Sequence, residues 1–122
     1  MLAYIALGGL AGTVARYLLQ GWIQRPGTAF PVGTLCINIG GSLVLGFIMR
    51  YATGSTVVSP ELRGALTIGF CGAFTTMSTF SYESMALLHD GDYWRAGLYM
   101  GGTIVGCLVA VISGTALANR LL

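Results

Sequence analysis

Apolar residues run through this chain in four long blocks, near residues 2–20, 32–52, 64–88 and 97–120. Each approaches the roughly 20 apolar residues that a helix needs to cross a hydrocarbon core. The interruptions carry helix-breaking and helix-starting chemistry. Gln24-Arg25-Pro26-Gly27 ends the first block and Pro31 can open the second. Thr53-Gly54-Ser55 closes the second, and Ser59-Pro60-Glu61 supplies an N-cap serine with proline at the first helical position. His89-Asp90-Gly91-Asp92 separates the third block from the fourth. No strand alternation persists long enough to suggest a barrel. The pattern predicts an all-α membrane protein with four transmembrane helices in a single domain, residues 1–122.

Composition agrees with that pattern. Hydrophobic residues make up 55% of the chain and charged residues 8%, with a mean hydropathy of +0.78. Soluble domains carry roughly 25% charged residues, so lipid is the solvent that fits. The net charge of +2 comes from six arginines and no lysine, which is too few and too scattered for nucleic acid. Cys36, Cys71 and Cys107 lie far apart in apolar stretches and read as buried thiols. His89, with two loop acids beside it, makes a poor transition-metal site and reads as part of a solvated turn. The first block lacks a basic start and an Ala-x-Ala cleavage pattern, so it is expected to be a retained helix. The 19 glycines suit close helix approach, with pairs at four-residue spacing in Gly8/Gly12, Gly97/Gly101 and Gly102/Gly106.

Charge placement bears on topology. With a cytoplasmic N-terminus, Arg50, Arg63 and Arg120 lie inside. Arg25 and Arg95 lie outside, with Arg16 near that end of its span. The positive-inside rule has almost nothing to act on. Such a chain is expected to insert both ways round and to pair as an antiparallel homodimer with an isologous interface.

Polar groups within spans are costly and face a pathway or a partner helix. From Thr75 to Ser84, seven of ten residues bear a hydroxyl. Gly72 and the threonines weaken helix propensity there, so the third helix is predicted to break near the midplane. Carbonyls freed by a break must find partners, because lipid has none. Asn38 is the one amide in the apolar part of a span. Arg16 stands in span 1, and Glu83 is the only acid within any span. An interior rich in hydroxyl, amide and aromatic-edge donors suits a small anion or polar solute. A cation exporter would need a central carboxylate.

Three segments, in order, carry a resemblance that covers nearly the whole chain. They are Gly8-Gly9-x-x-Gly12-x-x-x-Arg16-Tyr17, then Gly33-Thr34-Leu35-x-x-Asn38, and the most specific, Gly69-Phe70-Cys71-Gly72-Ala73-Phe74-Thr75-Thr76-x-Ser78-Thr79-Phe80-Ser81-x-Glu83. Together they resemble the Fluc family of bacterial fluoride channels, also called CrcB. The resemblance implies a passive, fluoride-selective channel, not an enzyme, in the bacterial inner membrane. It would be an antiparallel dual-topology homodimer with two pores that empties trapped fluoride down its electrochemical gradient. The resemblance further implies a structural sodium ion at the dimer axis, held by backbone carbonyls of Gly72 and Thr75. It implies pore roles for Asn38, Phe80, Ser78, Thr79 and Tyr99, and a vestibule role for Arg16.

The chain departs from the family pattern at Met77, which stands where the first pore phenylalanine is usual. Thr103 and Cys107 stand where span 4 hydroxyls, often serines, are common. Methionine fills similar volume but lacks the positive ring edge. Two rivals share parts of the pattern. A small multidrug exporter of dual topology would need a carboxylate in the first span, which here holds only Arg16. A membrane assembly factor would explain the glycine pairs but not the hydroxyl run or Asn38.

Overall fold

Backbone groups in lipid must be satisfied within their own segment, and the apolar blocks accordingly all become helices. The computed structural model describes residues 1–122 and contains only helices and their connections. α1 spans Leu2–Ile23, α2 Val32–Gly54 and α6 Tyr93–Leu121. These three helices are long and apolar enough to cross a membrane. The segment between α2 and α6 is bent and compound. It starts as α3 (Pro60–Gly64), widens into a π-helical stretch (Ala65–Cys71) and closes with one turn, α4 (Gly72–Phe74). It then restarts as α5 (Met77–His89). The helices overrun the expected blocks by a few residues, and at α3 and α6 a side-chain cap rather than hydropathy sets the start. Ser59 Oγ accepts from Leu62 N at 3.2 Å with Pro60 behind it, as expected. Asp92 starts α6 early, accepting from Arg95 N at 3.3 Å. Pro31 sits at the N-cap of α2, one residue ahead of the helix proper. Gly27 and Gly91 have φ of 80° and 76°, left-handed turns that favour glycine.

Side-chain contacts fix the relative directions of the helices. Along α1 and the arm formed by residues 60–74, Met1 meets Gly64, Gly8 meets Ala65, Gly12 meets Phe70 and Arg16 meets Ala73. The two therefore run parallel. α2 and α6 also run parallel, with Ile39 at Gly106, Gly46 at Val111 and Arg50 at Asn119. α1 and α2 are antiparallel, clasped at their shared end by Gln20 on Thr34 and Gln24 on Gly33. The chain thus alternates direction through four helical passes.

Glycines let backbones touch along both parallel pairs. A methyl group at Gly8 would fall on the Ala65 carbonyl, and one at Gly12 on the Phe70 carbonyl. Gly46 and Gly114 do the same between α2 and α6, against Val111 and Leu43. Close approach of this kind is how helices gain packing in lipid, where burial of apolar surface drives nothing. The Gly8/Gly12 pair thus behaves as expected. In the other two pairs, Gly106 alone packs, against Ile39; Gly97, Gly101 and Gly102 face no other helix of this chain. Trp22, Tyr93 and Trp94 are exposed at the end where α1 finishes and α6 begins, the position of an interfacial aromatic belt.

Candidate functional site

The bent segment breaks at Thr75 and Thr76, which are extended rather than helical (φ/ψ −81/154° and −146/111°). The break lies beside Gly41, close to the middle of α2, and five residues beyond Phe70, the level at which α1 is at mid-length. Gly72 keeps helical dihedrals, φ −63° and ψ −35°. The interruption therefore falls three residues after the glycine, at the β-branched threonines.

Asn38 holds the break open. Its Nδ2 donates to the Thr76 carbonyl at 3.2 Å, and its Oδ1 accepts from Thr76 N at 2.8 Å. The side-chain amide thus replaces a missing stretch of helix with a two-point clasp. In an unbroken helix Thr76 N would serve the Gly72 carbonyl, and Thr79 N would serve that of Thr75. Thr79 N instead donates to Thr76 Oγ1 at 3.3 Å, which caps α5. The carbonyls of Gly72 and Thr75 are left without their helical donors. The Ala73 carbonyl takes Arg16 Nε at 3.1 Å, so the arginine is tied by one nitrogen to the end of the broken arm.

The hydroxyl run divides into three groups. Thr75, Ser81 and Ser84 bond back to carbonyls of their own helix, at Cys71, Met77 and Phe80, the ordinary behaviour of such residues. Thr76 and Thr79 build the cap, with Thr76 Oγ1 donating to Thr79 Oγ1 at 3.0 Å. Ser78 and Tyr82 lie exposed on the outer face of α5, Ser78 with its Oγ 3.4 Å from Thr76 Oγ1. Counting hydroxyls along the sequence therefore overstates the number left free for a solute.

A cavity of about 280 Å³ opens against the break. Asn38, Ser42 and Leu45 of α2 line it, with Thr75 and Thr76, Met77 and Phe80 of α5, and Thr103, Ile104 and Cys107 of α6. The structure thus gathers Asn38, Thr75, Met77, Phe80 and Thr103 at one place. No charged side chain is among its walls. Tyr99 sits behind Phe80, fully buried, with ring centroids 5.3 Å apart. Phe30 closes the other side of Tyr99 edge-on at 5.8 Å. Tyr99 and Thr103 are one helical turn apart on α6. Both hydroxyls are buried with no hydrogen-bond partner in the chain. Leaving a buried donor unpaired costs about 1–3 kcal/mol, so these two groups mark a place where something polar is accommodated.

A second polar line runs alongside. Gln20 Nε2 donates to Thr34 Oγ1 at 3.0 Å, and Thr34 Oγ1 donates to Glu83 Oε1 at 2.5 Å. It joins α1, α2 and α5 and gives the only acid of the spans a donor. Gln20 and Ser42 escaped the sequence reading. Ser42 had a signal, standing four residues after Asn38 on one helical face; Cys107 stands four after Thr103 in the same way. Gln20 had none, because its role depends on where α2 lies.

Known proteins show the same arrangement of sequence. A family model described as CrcB-like protein, Camphor Resistance (CrcB), matches residues 3–115. A protein named fluoride-specific ion channel FluC from Geobacter sulfurreducens is 48% identical over 118 residues, covering 96% of this chain and 95% of that protein. Its namesake from Chlorobaculum tepidum is 46% identical over 115 residues, covering 94% and 91%. The one from Chlorobium phaeobacteroides is 44% identical over 118 residues, covering 97% and 92%.

Proposed function

The chain belongs to the CrcB-like family of multi-pass membrane proteins, and from that premise we propose that it is a passive, fluoride-selective ion channel of the bacterial inner membrane. Its relatives are named as ion channels, not enzymes. The observation that carries the reading is the pair of buried, unpartnered hydroxyls, Tyr99 OH and Thr103 Oγ1, on the helix that faces Phe80. In this reading the two hydroxyls, which are closed to water in the single chain, donate to an anion that enters beside Phe80. Phe80 adds the positive edge of its ring. A small, strongly hydrated anion needs many weak donors met in succession, because stripping it bare would cost tens of kcal/mol.

Flow in this reading is driven by the electrochemical gradient alone, outward at a negative membrane potential. The cavity has no carboxylate to exchange protons. Glu83 is hydrogen-bonded by Thr34 outside that cavity, and α1 contains no acid, which disfavours a proton-coupled exporter of cationic drugs.

The functional unit in this proposal is an antiparallel, dual-topology homodimer with two pores. Three observations support it. Arginines are nearly balanced between the two ends of the bundle. The outer face of α5 exposes Ser78, Ser81 and Tyr82, which are poor lipid-facing residues. The cavity wall ends at Met77 and Ile104, both exposed in the single chain. A sodium ion fits the same plan: the Gly72 and Thr75 carbonyls have lost their helical donors, and carbonyl oxygens suit a hard cation. Such an ion would neutralise the exposed carbonyl ends of two broken helices.

Fluoride release from proteoliposomes under a potassium-set potential, read with a fluoride electrode beside chloride, tests the function. Rapid fluoride release with chloride retained is the expected outcome. Retention of fluoride by vesicles that contain folded protein would refute it.

A further inference from the structure

The cavity against the break has a neighbour. A second space of about 180 Å³ opens at the end of the bundle where the α1–α2 and α5–α6 connections lie. Ala29 and Pro31 line it from the first connection, Glu83 and Leu87 from α5, and Asp90 and Asp92 from the second connection. The side chains between the two spaces form one packed layer. Phe80, which lines the first space, and Leu87, which lines the second, belong to the same buried cluster as Tyr99 and Ala96. Phe30, Leu35 and Met100 pack against that cluster. Leu35 and Met100 are carried by α2 and α6, whereas Phe30 comes from the connection between α1 and α2. Its ring stands edge-on to Tyr99, with centroids 5.8 Å apart and planes at 81°.

Gln24 fixes this connection. Its Nε2 donates to the carbonyls of Thr28 and Phe30, at 3.4 and 3.2 Å, and its Oε1 accepts from Gly33 N at 2.9 Å. That last amide is one of the donors that the start of a helix leaves free. One side chain therefore ties the end of α1, the connection and the start of α2 together. On the channel reading above, we propose that Phe30, positioned by Gln24, is a specificity-determining side chain: it completes the apolar layer and sets the size of ion that crosses between the two spaces. An apolar constriction admits an ion only through the gap that its side chains leave. Phe80, Leu87 and Tyr99 have their places set by helices, so the gap turns on the one ring that a connection supplies. Glu83, Asp90 and Asp92 repel an anion rather than hold it, so an ion that has crossed the layer is released, as conduction requires. Two of these acids are already engaged, Asp92 by Arg95 at 3.1 Å and Glu83 by Thr34.

Two readouts on the full chain test the assignment. In proteoliposomes under a potassium-set potential, Phe30→Ala should release chloride about tenfold faster than the unaltered chain, the scale of discrimination carried by a few methylenes. Gluconate in the same vesicles should stay inside. Phe30→Leu refills most of the volume and should restore chloride exclusion. Gln24→Glu keeps an acceptor for Gly33 N but loses both donors, and should leak chloride less than Phe30→Ala does. Chloride retention by Phe30→Ala, an equal leak in Phe30→Leu, or escape of gluconate alongside chloride would each overturn the role. The second readout needs no conduction. Protein labelled with 3-fluorotyrosine is taken into detergent, and the Tyr99 fluorine resonance is assigned by its loss from Tyr99→Phe. Exchange of H2O for D2O should leave that resonance unmoved in the native chain and shift it in Phe30→Ala. An unmoved resonance in Phe30→Ala would show that Phe30 does not seal the layer. Native vesicles that held their fluoride would count against the channel, while the fluorine spectrum would still decide the seal.

Discussion

The α2–α6 seam and the joint between α4 and α5 both place small or polar residues in apolar surroundings, yet they reach opposite ends. Along the seam, Gly46 and Gly114 remove side chains so that backbone meets backbone at Val111 and Leu43. Every helix carbonyl there can keep its own amide, and the two buried hydroxyls without a partner, Tyr99 and Thr103, lie nearer the start of α6, beyond this glycine contact. At the joint, Thr75 and Thr76 abandon the helix, and one side chain from another helix, Asn38, takes up only part of what is freed. The seam gains from dispersion at close range. The joint retains hydrogen-bonding capacity that the chain itself does not use, which is the condition for handling a solute. Rigidity and function are thus divided between neighbouring faces of α2, which contributes to both.

Substitutions at the two places sharpen that contrast. The largest effect is expected at Gly114→Leu, whose Cβ falls on the Leu43 carbonyl and close to Phe47 N. Backbone cannot yield as a side-chain tip can, so a loss of about 3 kcal/mol is expected. It would be read as a lowered aggregation temperature in detergent; an unchanged temperature would show that the seam is loose. Next comes Asn38→Asp, which sets a carboxylate oxygen against the Thr76 carbonyl in place of the amide donor. A cost of about 1–3 kcal/mol is expected from the lost clasp, with conduction blocked by the added negative charge. Normal fluoride release by this variant would detach Asn38 from both roles. The smallest is Phe80→Ile, which keeps volume and removes the ring edge. Its expected effect on stability is slight, and flux should fall about tenfold, the rate equivalent of about 1.4 kcal/mol. If flux is unaffected, the ring is packing for Tyr99 and nothing more.

Much of the frame is local chemistry and was open to inspection in the sequence. Ser59-Pro60, Asp92 and the turn glycines Gly27 and Gly91 act within a few residues of themselves, so their caps and turns do not await the rest of the fold. The hydroxyl run with Gly72 pointed to a helix break, and the break is there, shifted to Thr75 and Thr76. Other assignments failed to follow from spacing. Gly97, Gly101 and Gly102 repeat as regularly as Gly8 and Gly12, yet they face no helix of the chain. Ser81 and Ser84 look like free donors until their own carbonyls are seen to take them.

The order of apolar blocks and breakers by itself determined four helical passes and a membrane setting, because lipid leaves a backbone no alternative partner. It also placed the weak point in the third pass, since propensity and capping are properties of neighbouring residues. Only the tertiary structure decided that Asn38 clasps Thr76, that Gln20 and Thr34 reach Glu83, and that Tyr99 and Thr103 keep unpaired hydroxyls. Those outcomes turn on the rotation and depth of one helix against another, and packing between distant segments sets both.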